Sequence, residues 1–133
     1  MATFPRKNRL TRPEEFRRVF QRGRHRRIQV EGILCRARES STSHARLGLA
    51  ISKRSLKRAV DRNRVKRLVR EGFRTHFTQL PAVDIVIMGE TKLASMDNAV
   101  ILQQLGMLWE RLDGYYNAAN KPPRQTPSNH KPD

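Results

Sequence analysis

Arg62, Lys66, Arg70 and Arg74 recur every four residues, with Asn63 and Arg67 beside them. On a helix this spacing stacks the side chains into one ridge. Like charges so stacked repel one another by roughly a few tenths of a kcal/mol per pair. A polyanion removes the repulsion and releases its own counterions in exchange. Asn63 adds an amide that both donates and accepts, which suits base edges and 2′-hydroxyls. The chemistry open to this set is recognition of a nucleic acid. Bond-breaking chemistry has less support. Hydrolysis of a phosphodiester calls for clustered carboxylates holding metal ions, or for paired histidines. Here the acids are scattered, and His25, His44, His76 and His130 share no ligand spacing. The single cysteine, Cys35, lies in an apolar run. It reads as a small buried hydrophobe and excludes an intramolecular disulfide or a cysteine-paired zinc site.

The ridge requires a helix starting between Ser55 and Asp61, anchored by Val65, Leu68, Val69 and Gly72 within one arc. Before it, Arg46 to Ser52 alternates as a strand. Leu47, Leu49 and Ile51 make one face; Arg46, Gly48, Ala50 and Ser52 make a small, polar one against which something could lie. Thr11-Arg12-Pro13-Glu14 predicts the start of a helix over 11–22, with Thr11 as cap, Glu14 three residues on and Gly23 as the stop. Its Phe16 and Phe20 share a face with Val19. Either they are core packing, or a ring borders a cleft in which a base could stack.

Ile28 to Arg38 reads as one strand, with Gly32 marking a bulge because apolar parity shifts afterwards to Ile33, Cys35 and Ala37. Asp84 to Met88 is a strand buried on both faces. Ser95 or Asp97 caps a last helix whose apolar face holds Ile101, Leu102, Leu105, Leu108, Trp109, Leu112 and Tyr116. The order α-β-β-α-β-α predicts an α+β fold: a single small domain, residues 10–117, with helices packed on a mixed sheet. A flexible basic arm is expected over 1–9 and a disordered tail over 118–133.

The 133 residues carry a net charge of +16. Residues 6–27 and 53–74 each hold ten Lys/Arg against two acids, whereas residues 75–120 hold two against five. That asymmetry predicts an oriented binding face. No apolar run approaches the roughly 20 residues of a membrane span. The N-terminus lacks the apolar core of a secretory signal, and the expected compartment is the cytoplasm. The ridge helix follows a strand instead of a second helix across a short turn, and no heptads follow it. RNA is therefore favoured over DNA.

Arg46-Leu47-Gly48-Leu-Ala-Ile-Ser52-Lys53-Arg54, followed by Lys57-x-Ala59-Val60-x-Arg62-Asn63-x-x-Lys66-Arg67-x-x-Arg70-Glu71-x-Phe73-Arg74, closely resembles the bacterial ribonuclease P protein family and its RNR motif. The resemblance extends to Asn8-Arg9-Leu10, to Phe16 and Phe20, and to Asp84-Ile-Val-Ile, over roughly residues 8–112. It implies a protein subunit of an endoribonuclease that removes the 5′ leader of precursor tRNA. A large RNA subunit would carry the active site and its magnesium, and the protein would bind no cofactor and be inactive alone. It further implies that Lys53, Arg54, Arg62, Asn63, Lys66, Arg67 and Arg70 face the RNA subunit. Phe16, Phe20, Ala50 and Ser52 would line a cleft for the leader. The implied fold includes a left-handed crossover between parallel strands. Many relatives carry Phe or Tyr in the first strand, where Ile33-Leu34-Cys35 is aliphatic. The expected partners are the RNA subunit and precursor tRNA, with no membrane and no protein partner. The competing class is a structural RNA-binding protein of ribosomal type.

Overall fold

The computed structural model describes residues 6–21, 25–76 and 78–116. In chain order they form α1 (Pro13–Val19), β1 (Arg26–Val30), β2 (Ile33–Glu39), β3 (Arg46–Leu49), α2 (Ala59–His76), β4 (Val83–Gly89) and α3 (Asn98–Tyr116), with short 3-10 turns at Arg6–Asn8 and Thr91–Ser95. The sheet order is β1-β2-β4-β3. β2 pairs antiparallel with both β1 and β4, and β3 runs parallel to β4 with α2 as the connection. The apolar run from Ile85 to Met88 in β4 is thus explained: β4 is an inner strand covered on both faces.

One face of the sheet carries the main core. Ile28, Val30, Ile33, Cys35, Ala37, Leu47, Ile85 and Ile87 meet Val65, Val69 and Phe73 of α2 and Ile101, Leu105, Leu108 and Leu112 of α3. Burying each such side chain contributes about 1.5–3 kcal/mol. The opposite face carries a smaller cluster of Leu10, Val19 and Val86, with Phe16 and Met88 against it, under α1. Cys35 is wholly buried, and burial pushes its thiol pKa up, away from reactivity.

Several expectations are corrected. The predicted bulge at Gly32 is a hairpin turn: Val30 pairs with Ile33 across Glu31-Gly32, so the single expected strand is two. Gly32 has φ +81, the left-handed region that glycine enters without strain, and a Cβ there would meet Met96 Sδ at 2.8 Å. The first helix is shorter than 11–22, and its predicted stop at Gly23 lies outside the described residues. Its start is held by Glu15, whose Oε1 accepts the Thr11 and Arg12 backbone N–H groups at 2.7 and 3.0 Å. Glu14, the expected partner, is one residue too early, because Arg12 and not Thr11 is the cap. Leu102 is 40% exposed and leaves the α3 stripe, and Phe73 joins the α2 stripe where Leu68 is only half-buried. Of the expected arm, residues 6–9 dock on the sheet. Asn8 is buried and its Nδ2 donates to Ala45 O at 2.7 Å, while Arg9 bridges to Leu47 along the β3 edge. Residues 1–5 and the expected tail, 118–133, lie outside the described residues.

Candidate nucleic-acid interface

Val65, Val69, Gly72 and Phe73 fix the rotation of α2 by burying one side of it. The opposite side then presents Asn63, Arg67 and Arg70 to solvent, with Lys66 half-buried. These four positions follow i, i+3, i+4, i+7 and so share one stripe. Among the described residues, Lys66, Arg67 and Arg70 form no ion pair. Arg62 is used differently. Its Nη1 donates to Leu56 O at 2.8 Å and Lys57 O at 3.0 Å, so it pins the loop that enters its own helix. Arg64 turns the other way, donating to Asn98 Oδ1 and to Leu93 O, and ties α2 to the start of α3. Arg74 pairs with Glu71 on the same helix.

Lys53 and Arg54 are exposed in the turn that follows β3. Ser52 shapes that turn: its Oγ accepts the Ser55 N–H at 3.1 Å and its carbonyl accepts the Leu56 N–H at 3.0 Å. Arg54, Lys57 and Arg58 border a recess of about 560 Å³ floored by Leu56 and Ala94. Lys57 and Arg58 therefore extend the cationic face; their membership in the same basic run was the signal available for them.

The two phenylalanines separate in the fold. Phe16 lies over β3, so close that a Cβ on Gly48 would meet its Cζ at 2.6 Å. It packs against the Leu10, Val19 and Val86 cluster. Phe20 is 37% exposed and touches the His25 ring edge-on, with centroids 6.2 Å apart. Ala50 is exposed on the same sheet face, its N–H bonded to Ile87 O at 2.9 Å. A recess of about 340 Å³ joins Phe16 to Lys66 and Arg70, with Arg9, Leu10 and Thr11 as its rim and Leu47 and Leu49 as its floor. The ridge and Phe16 thus border one recess, with Phe20 outside its lining.

What holds α1 there is a charge network that the spacing of residues did not reveal. Asp84, wholly buried on β4, accepts from Arg46 Nε and Nη2, both at 2.8 Å. Arg18 of α1 approaches the same carboxylate at 3.5 Å, and Arg46 Nη1 reaches Glu15 of α1 at 3.2 Å. Arg38 Nη1 donates to Arg18 O at 2.8 Å and Gln21 Oε1 at 2.7 Å. The hydrogen bond to Asp84 drives the Arg46 guanidinium pKa up. Hydrogen bonding from the Arg12 N–H, ahead of the charge of Arg46, holds the Glu15 carboxyl below its ordinary value. Asp84 itself sits in an apolar run, and no sequence signal pointed to Arg46 as its partner.

The family model described as Ribonuclease P matches residues 4–113. The ribonuclease P protein component of Thioalkalivibrio sulfidiphilus is 48% identical over 109 residues, covering 82% of this chain and 89% of the relative. That of Methylococcus capsulatus is 45% identical over 106 residues, covering 80% and 81%. The solved RNase P protein of Thermotoga maritima superposes with a TM-score of 0.69 at 28% identity, over 80% of this chain and 98% of that one. The Staphylococcus aureus RNase P protein gives 0.72 at 24% identity over 83% and 98%, a likeness of fold alone. These matches set aside the structural ribosomal-type alternative, and the chain belongs to the ribonuclease P protein family.

Proposed function

We propose that this protein subunit of ribonuclease P, which serves the 5′ maturation of tRNA, holds the enzyme's RNA subunit on α2 and guides the leader of precursor tRNA beneath α1. The observation that carries this reading is the recess joining Phe16 to Lys66 and Arg70, which gives the cationic ridge and the aromatic cleft a common rim. Asn63, Lys66, Arg67 and Arg70 neutralise phosphates of the RNA subunit, with Lys53 and Arg54 at the entry to the helix. Arg62 acts partly by pinning that entry. Phe20, with its exposed ring, stacks a leader base. Phe16 forms the wall and Ala50 the floor, while Ser52 shapes the turn at the cleft's edge.

Catalysis falls to the RNA subunit and its magnesium. In support, the carboxylates nearest the cleft, Asp84 and Glu15, are held by Arg46 and by backbone N–H groups, not presented to a substrate. The cytoplasm is the compartment where precursor tRNA is met. No helix among the described residues is long and apolar enough to cross a membrane.

Reconstitution tests the reading. Precursor cleavage should require the RNA subunit and magnesium, and the added protein should favour substrates with a leader over leaderless tRNA. Cleavage by the purified, RNA-free protein would overturn it.

A further inference from the structure

Arg27 of β1 and Arg36 of β2 stand directly opposite each other in the antiparallel register. Their strand neighbours Ile28, Cys35 and Ala37 point into the main core, so both guanidiniums project from the face that carries α1. Like charges directly opposite on one face destabilise a sheet. Among the described residues neither arginine forms a salt bridge. Arg36 is half-buried, and burial, followed by the charge of Arg27, pushes its pKa down. A fold that retains such a pair leaves a place for an anion.

The register says which anion. Arg36 pairs with Val86, and Val86 with Gly48, on which the Phe16 ring rests. Arg27, Arg36, Val86 and Gly48 therefore form one row across the sheet, about 14 Å long at the usual strand spacing. The next row holds Gln29, Leu34 and Met88, with only partial cover over the last two. The arginines lie at the β1 edge of the surface, and the α2 ridge meets it at the β3 edge. Val86 and Gly48 are buried beneath Phe16, Val19 and Leu10, so a strand that enters beside α2 crosses the sheet over the partly covered next row, past Met88 and Leu34, and the arginine pair stands one row away at the β1 side.

We infer that Arg27 and Arg36 form a two-arginine clamp for a backbone phosphate of the precursor's leader. The inference rests on the leader-cleft reading and extends it to residues that reading does not use. Two guanidiniums converging on one phosphate make charge-assisted hydrogen bonds that single cations do not. The phosphate in turn supplies the counterion the pair lacks.

The test uses reconstituted holoenzyme and a series of precursors, each with one neutral methylphosphonate linkage in the leader. Wild-type protein should lose about five- to tenfold in affinity at one linkage or two adjacent ones. Arg27→Gln and Arg36→Gln should weaken the unmodified precursor by a similar factor and abolish the sensitivity at that linkage. Arg36→Lys should restore part of it. Leaderless tRNA and the RNA subunit should bind the variants as they bind wild type. Because each substitution removes repulsion, the thermal midpoint of the free protein at low salt should hold or rise. Equal losses with leaderless tRNA, or a linkage profile unchanged in the variants, would overturn the clamp. Phe20→Ala separates the two levels: if it alone removes the preference for a leader, the clamp fails and the cleft stands. If neither it nor the arginine variants do so, both fail.

Discussion

Arg46 and Arg67 are the same side chain in opposite circumstances. Arg46 is 11% exposed and gripped by Asp84 and Glu15, its counterions supplied by the fold. Arg67 is exposed on α2 and has no ion pair among the described residues. An arginine whose counterion comes from its own chain fixes architecture. One left without a counterion is open to a partner's charge. The difference lies in burial and in an acid within reach, not in residue type, and it separates the charge network that holds α1 in place from the open cations of α2.

The largest expected effect tests the structural half. Among the described residues, Arg46→Ala leaves buried Asp84 with Arg18, at 3.5 Å, as its remaining ion-pair partner. Breaking a buried pair in this way costs about 3–5 kcal/mol. Denaturant unfolding should show that loss, and a midpoint within about 1 kcal/mol of wild type would erase the contrast. Next, Gly48→Ala must displace the Phe16 ring, an overpacking that costs about 1–3 kcal/mol. The same variant should blunt the preference for leader-bearing precursor in a competition assay. Phe20→Ala should weaken precursor by about 1–3 kcal/mol if one base stacks on it, with unfolding stability nearly unchanged because the ring is exposed.

Smaller effects sharpen the binding half. Lys66→Ala with Arg67→Ala should lower the log–log salt slope of RNA-subunit binding by about 2, one for each phosphate no longer neutralised. Arg46→Lys, which keeps the charge under α1, should leave that slope alone. The smallest effect is acidic. Glu15 has a folded pKa held below its ordinary 4.5, so its contribution to stability is full above that value and fades as pH falls through the folded one. Glu15→Gln should flatten the acid limb of a stability–pH curve. An unaltered limb would mean that Glu15 does not couple α1 to the charge network.

Periodicity exposed α2 and its ridge because burial at Val65 and Val69 and charge at Lys66 and Arg70 repeat locally. It exposed β4 because both faces are covered from Ile85 to Met88, which leaves no polar residue in that stretch. It misread Gly32, since a shift of apolar parity is the same whether the chain bulges or reverses. It misread the first cap, where Glu14 and Glu15 differ by one residue and only the backbone geometry at Arg12 chooses between them. It counted Arg27 in a basic run and gave Arg36 no role, because their opposition exists only once β1 and β2 are in register.

By itself the sequence determined most of the elements, though not the hairpin at Gly32, together with the cationic helix and the class of partner, because propensity, period and net charge act over neighbouring residues and need no fold to be read. Tertiary structure alone decided which cations face outward. Arg46 meets Asp84, 38 residues away, whereas Arg67 finds no acid to pair with among the described residues. Electrostatic energy depends on distance and burial in space, and neither is written in the spacing of residues along the chain.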